Sequence, residues 1–279
     1  MRLLNWNVQW CRGVDGRVDP ARVAAEVRRL ADPDVICLQE LAANLPDLAG
    51  NNAEDQVHTL AHLFPGYTTC FVSGVDIPSP GGRRGYFGNV IFSRLPVGRV
   101  LRHSLPWPPA ADVPSMPRVA VEAVVDAPMG PVRIITTHLE YYSNLQRAAQ
   151  IQRLREIHAE ACGAQFENTE AGIFKSFPRP KGAILCGDFN MPPEDPLHRQ
   201  MQKAFASTEI PGFSDAWRAL NPGKPHPPTF RVYEKYEGES QYCCDYVFVT
   251  EDLIPRLKTV RVDGLTQASD HQPVIVEFS

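Results

Sequence analysis

Ala183-Ile184-Leu185-Cys186 is an unbroken apolar run that stops at Gly187-Asp188-Phe189-Asn190. A run this short, apolar at every position, reads as a strand covered on both faces. Glycine then breaks it, and acidic and amide side chains follow at its end. The same grammar recurs outward in both directions. Val35 to Leu38 is a second covered strand and stops at Gln39-Glu40. Val132 to Leu139 is a third and carries His138 near its end. Leu3 to Trp10 alternates loosely as a strand and holds Asn7, Asp245 opens a strand to Val249, and Asp270-His271 precedes the last, Val274 to Phe278.

Between these runs lie further predicted elements. Asp19-Pro20 supplies an N-cap and a first-turn proline for a helix marked by Val23, Val27 and Leu30, which stops before Asp32-Pro33. A second helix is expected over 53–63, then a strand over 68–73 and a Gly/Pro-rich loop over 74–88 carrying Arg83 and Arg84. Strands follow at 89–93, 97–102 and 118–126, with a turn at Ala127 to Gly130. Ser143 and Gln146 form a capping box for a helix marked by Ile151, Leu154 and Ile157. Residues 162–181 read as an exposed loop, Asp195-Pro196 starts a short helix, and strands are predicted at 229–233 and 259–262. Strands outnumber helices and no linker interrupts the apolar runs, so residues 1–279 read as one α/β domain.

Composition narrows the function classes. The chain has 279 residues, a formal net charge of −4 and a sequence pI near 6.1. That balance does not supply the basic surface with which proteins grip duplex DNA through many phosphates. Seven cysteines with no metal-type spacing, several inside apolar runs, suit buried thiols in a reducing compartment. No run approaches the about 18 apolar residues of a membrane span, and the N-terminus lacks a signal-peptide pattern. The expected location is cytoplasmic, with no membrane and no obligate protein partner.

The polar residues at the strand ends carry the chemistry. Phosphate ester hydrolysis needs a Lewis acid, a positioned water with its base, donors for the phosphate oxygens, and help for the leaving group. Carboxylates at Glu40, Asp188 and Asp270 suit a hard cation such as Mg²⁺, and His138 and His271 can steady charge or move protons near neutral pH. Taken singly, each has a plainer explanation: an N-cap, a solvated turn, a buried hydrogen bond at His138, or a tyrosine partner for Asp245.

Taken as an ordered set the motifs are specific. Asn-Trp-Asn-Val-Gln (5–9), Leu-Gln-Glu (38–40), Thr-His-Leu (137–139), Gly-Asp-Phe-Asn (187–190), Asp-Tyr-Val-Phe (245–248) and Ser-Asp-His (269–271) resemble those of the endonuclease/exonuclease/phosphatase superfamily. The Thr-His-Leu sequence and Gln9 are closer to its deoxyribonuclease-like branch than to its abasic-site endonucleases. The resemblance implies a four-layer α/β/β/α sandwich, two mostly antiparallel sheets packed face to face and flanked by helices. It implies a Mg²⁺-dependent phosphoric ester hydrolase, with Mn²⁺ able to substitute, acting on nucleic acid or a small phosphate ester.

Carried over by position, Glu40 is the principal metal ligand with Asn7 beside it and Asp270 at the edge. Asp188 orients or deprotonates the attacking water, Asn190 binds a phosphate oxygen, and His271, held by Asp245, contacts the scissile phosphate. His138 stabilises the transition state or assists the leaving group. Asn89 and Arg118 stand where relatives place substrate-binding residues.

Fainter hints complete the reading. Tyr141 and Tyr142 could stack on a base, whereas Trp217 and Phe230 read as packing. Arg83-Arg84, with Lys175, Arg179 and Lys181, could form a basic rim. Arg147 and Gln150 are expected to tie down the Thr-His-Leu strand end. The competing reading is a catalytically inactive binding or scaffold module on the same fold, which would have lost a metal or water-activating residue; none is missing.

Overall fold

The computed structural model describes residues 1–111, 113–163, 171–177, 179–233 and 240–279. Twelve strands run in chain order as β1 (Arg2–Asn7), β2 (Val35–Ala43), β3 (Thr68–Ser79), β4 (Arg83–Ser93), β5 (Val97–Ser104) and β6 (Val119–Ala127), then β7 (Gly130–His138), β8 (Ala183–Asp188), β9 (Phe213–Asp215), β10 (Asp245–Thr250), β11 (Leu257–Val262) and β12 (Val274–Phe278). The helices are α1 (Pro20–Leu30), α2 (Gln56–Leu63), α3 (Asn144–Gly163), α4 (Pro196–Met201) and α5 (Ala216–Leu220).

The strands form two six-stranded sheets, ordered β11-β12-β1-β2-β4-β3 and β5-β6-β7-β8-β10-β9. Each holds one parallel pair, β1 with β2 and β7 with β8, among antiparallel neighbours. One face of each sheet packs on the other: Leu3, Val35, Cys37 and Ile91 meet Val121, Ile134, Ile184 and Val247. The opposite face of the first sheet (Leu4, Ile36, Phe92) is covered by Val23 and Val27 of α1 and Leu60 of α2. That of the second (Ile135, Leu185, Phe248) is covered by Ile151, Leu154 and Ile157 of α3. Burial on both faces explains why these strands read as continuous apolar runs. The expected four-layer α/β/β/α sandwich is what the chain forms.

Local chemistry sets the element ends. The Asp19 carboxylate accepts from Arg22 N at 3.0 Å and starts α1 as expected, while Asp55 caps α2 three residues later than predicted. At α3 only half of the capping box forms. Ser143 Oγ accepts from Gln146 N at 3.3 Å, but the Gln146 amide donates to Pro108 O instead of turning back.

Several boundaries differ from the sequence reading. The first strand ends at Asn7, because Gln9, Trp10 and Cys11 take positive φ values of 44°, 43° and 59° in a single helical turn. The second does not end at Glu40 but continues to Ala43. Its register against β4 shifts between Leu38 and Leu41, and Glu40, at φ 61°, sits on that bulge.

The 74–88 stretch is no loop: β3 and β4 pair through it as a long hairpin with a register shift between Ser73 and Val75. No strand forms over 229–233, where Phe230 makes only isolated bridges to Tyr242 and His271 and Arg231 turns to φ 58°. The predicted 162–181 loop begins inside α3 and has a single helical turn at Gly172–Phe174; its residues 164–170 and 178 lie outside the described set.

Candidate active site

Strand register builds the cleft. His138 ends β7 opposite Asp188 at the end of β8, and Asp188 also faces Asp245, the first residue of β10. Gly187 lets β7 and β8 come this close, since a Cβ there would lie 1.9 Å from Thr137 O and its φ is +151°. The first sheet delivers Asn7 at the end of β1, paired with Gln39. Side chains bridge the sheets at this end: Gln39 Nε2 donates to Thr136 Oγ1 at 2.8 Å, and Asn89 Nδ2 to Val119 O at 3.0 Å.

The expected residues meet. Asn7 Nδ2 donates to Glu40 Oε1 at 3.0 Å and to Asp188 Oδ2 at 2.9 Å. His138 lies 3.7 Å from Glu40 and 3.4 Å from Asp188. His271 Nε2 is 3.7 Å from Asp188 Oδ2, and its Nδ1 bonds Asp245 Oδ2 at 2.9 Å. Asp270 joins through Gln9, whose Nε2 donates to Asp270 Oδ2 at 2.7 Å. Arg118 lines the same cleft.

Burial and mutual repulsion tune the group. Burial, then the Asp270 charge, pushes the Glu40 carboxyl up to about 7. Burial, then Arg118, pulls the His138 imidazole down to about 3. Burial also raises Asp245 and Asp270. Against the pull of burial, Asp245 and Asp188 hold His271 well above its usual range. Against burial too, the two imidazoles and Asn7 keep Asp188 below the ordinary carboxylate range.

The oxygen donors fit a hard divalent cation. Ligand atoms of Glu40, His138 and Asp188 lie within 4.8 Å of one another. Buried carboxylates with raised proton affinity beside one another are what a cation relieves.

Three expected positions differ in detail. Asn7 turns its amide nitrogen to the carboxylates, while its oxygen accepts from Gln9 N at 3.1 Å and so does not face the donor group. Asn190 Nδ2 is committed to Leu139 O and His138 Nε2, both at 2.9 Å. Asn89 is spent on Val119 and is not part of the cleft lining.

The basic rim does not assemble either. Arg84 pairs with Asp76, Arg179 with Glu122 and Lys181 with Glu209. Phe230 lies over the His271 ring, centroids 4.5 Å apart, instead of packing in the core.

The structure adds the contacts that support these residues. Thr229 Oγ1 donates to Asp245 Oδ2 at 2.6 Å, and Ser269 Oγ donates to Asn7 O at 2.8 Å while accepting from His271 N. Glu140 receives Arg118 Nε at 3.3 Å, leaving Arg118 Nη1 buried without a protein partner. Arg147 and Gln150 do hold the strand end, through Glu140 O at 2.6 Å and Glu140 N at 2.9 Å.

A model of the Endonuclease/Exonuclease/phosphatase family matches residues 4–271, and the chain belongs to that family. No curated protein matches it in sequence. Solved structures show the same fold. An endonuclease/exonuclease/phosphatase from Beutenbergia cavernae is 24% identical with a TM-score of 0.66, over 100% of this chain and 72% of that one. A mannosyl-6-phosphatase from Bacteroides thetaiotaomicron is 17% identical at 0.66, over 100% and 99%. The human Nocturnin catalytic domain, with a bound sulfate anion, is 20% identical at 0.64, over 100% and 93%.

Proposed function

We propose that this chain, acting as one catalytic unit over residues 1–279, hydrolyses phosphate esters with a divalent cation, Mg²⁺ foremost and Mn²⁺ as a substitute. The observation that carries this is the meeting of Glu40, His138 and Asp188 within 4.8 Å beside a buried, unpartnered Arg118 nitrogen. Glu40 and Asp270 would hold the cation, which supplies Lewis-acid polarisation of the phosphate. Asn7 fixes the Glu40 and Asp188 carboxylates against each other.

Asp188, kept ionised, accepts a proton from the attacking water; that water bonds to phosphorus as the P–O bond to the alcohol breaks. His271, charged and backed by Asp245, donates to a phosphate oxygen, and Arg118 Nη1 binds another. His138, held by Asn190, faces the reacting centre as a neutral imidazole and steadies the leaving oxygen, which takes a proton from solvent as the alcohol departs. A phosphatase among the structural neighbours supports the reading. Seven buried, unpaired cysteines fit action in a reducing compartment, the cytoplasm. Among the described residues no helix is long and apolar enough to cross a membrane.

The test is Mg²⁺-dependent turnover of bis-p-nitrophenyl phosphate with calorimetric Mg²⁺ binding. His271→Ala should lose at least ~10²-fold in kcat, and Glu40→Gln should weaken Mg²⁺ binding. Full activity in His271→Ala, or unaltered Mg²⁺ affinity in Glu40→Gln, refutes the assignment.

A further inference from the structure

The cleft is larger than its catalytic group needs, and the extra space is apolar. It encloses about 490 Å³, the size range of a pocket for one small molecule. Beyond Glu40 and Asp188 its wall is built by Trp10, Leu45, Leu48, Ile77, Phe87 and Met116. These come from the turn after β1, the segment after β2, the β3–β4 hairpin and the stretch before β6, so unrelated segments converge to make it. Trp10 and Phe87 lie beside each other, rings tilted by 53° with centroids 6.5 Å apart. Tyr142 and Phe230 line the same cleft. Ile77 is 46% and Tyr142 59% exposed, a cost that a core role does not explain.

Charge decides what fits. Among the described residues Arg118 and the charged His271 are the cations lining the cleft, with Arg231 at its edge on Tyr141 and Phe230, against Glu40, Asp47, Asp188 and Asp270. A polymer with a phosphate on every unit needs a row of cations to follow its backbone, even where aromatic side chains stack on its bases. Arg118, His271 and one cation site serve one phosphate.

We propose that the substrate is a small soluble ester with a single phosphate, whose organic group is bulky and hydrophobic and lies against the Leu48–Ile77 wall. This rests on the phosphoesterase reading and names the class of molecule that reading leaves open.

The experiment compares 1-naphthylmethylphosphonate with methylphosphonate by calorimetry in the presence of Mg²⁺. Both carry the same headgroup, so the difference reports the organic group alone. The naphthyl compound should bind at least about 10-fold tighter, the order expected when an aromatic face leaves water. Ile77→Ser and, separately, Leu48→Ser should each shrink that ratio, and both side chains lie outside the core, so folding survives.

Equal affinities, a ratio untouched by both variants, or tighter binding of the trinucleotide dT₃ than of the naphthyl compound overturns the proposal. Turnover of bis-p-nitrophenyl phosphate, measured alongside, separates the failures. Turnover without the naphthyl preference sinks only the apolar-group inference, and preference without turnover sinks the phosphoesterase reading.

Discussion

Among the described residues, one buried cluster of histidine and carboxylate lies in the second sheet's half and another where the two sheets meet, and they differ in one respect. In the first, Asp215 is fully satisfied. Its Oδ1 accepts from Trp217 N at 2.8 Å and Arg218 N at 3.3 Å as the cap of α5, and its Oδ2 accepts from His198 at 2.9 Å and His226 at 2.7 Å. His198 Nδ1 takes a further bond from Gln202 at 3.2 Å. In the cleft cluster, by contrast, Asp245 Oδ1 and Arg118 Nη1 are buried with no protein partner, and Glu40 and Asp270 repel each other. Both clusters have ligand atoms close enough to surround an ion. Proximity of such groups therefore does not define a site; leftover binding capacity does. The Asp215 cluster holds α4, α5 and β9 together, while the cleft cluster keeps its capacity for something from outside.

The largest effect that would test this contrast is on catalysis. Asp188→Ala should lower kcat by ~10³-fold or more, the scale of removing a catalytic base together with its electrostatic partner. Its melting temperature should fall only modestly, because Asn7 Nδ2, Asn190 N and His271 lose a partner while Glu40 is relieved of a like charge. A large fall in stability with activity retained would reverse the assignment of the two clusters. Asp215→Ala should do the opposite. Two histidines and two helix N–H groups lose their acceptor, so urea unfolding should show a loss of roughly 3–5 kcal/mol, with kcat per folded molecule nearly unchanged.

A buried carboxylate outside both clusters, Glu122, sharpens the comparison through pH. Against burial, hydrogen bonds from His103 and Arg179 hold the Glu122 carboxyl down at about 2, whereas Glu40 stands at about 7. A folded-state value below the ordinary 4.5 means stability present above 4.5 and lost as pH falls through about 2. That gap corresponds to about 3 kcal/mol. The difference in unfolding free energy between wild type and Glu122→Gln should therefore be about 3 kcal/mol at pH 7 and shrink steadily from pH 4.5 downward. A pH-independent difference would mean that shape, not charge, is what Glu122 contributes.

Much of this was legible in the chain because most of the candidate site residues sit at or near the ends of buried strands. An apolar run such as Ala183 to Cys186 marks the strand, and a Gly-Asp break marks its end. What escaped had physical reasons. A bulge is a change of register between strands, so nothing in the period of Val35 to Leu38 announced that Glu40 would sit on one. The β3–β4 hairpin looked like a loop because its outer half is exposed on both faces and carries Pro78 and Pro80, which suppress alternation.

Asp215 drew no attention because its partners His198 and His226 are 17 and 11 residues away, with no motif joining them. Thr229 contributes one hydroxyl, and a single hydroxyl has no pattern to read.

The smallest predicted effect sets two glutamines against each other. Gln202 braces the Asp215 cluster: its Oε1 accepts from Asp215 N at 3.0 Å while its amide nitrogen reaches His198. Gln9 braces the cleft through a single bond to Asp270 at 2.7 Å. Gln202→Met keeps the volume and removes bonds from an otherwise complete network, so it should cost about 1–2 kcal/mol in urea unfolding and leave Mg²⁺ affinity alone. Gln9→Met frees a carboxylate that already carries excess charge, so its stability should change by less than about 1 kcal/mol. Its Mg²⁺ affinity, read by calorimetry, should fall about 10-fold, the lower end of what loss of a carboxylate's supporting partner causes. If both variants lost stability equally and neither altered Mg²⁺ binding, the two clusters would be alike in kind, and the distinction between satisfied and unsatisfied carboxylates would carry no functional information here.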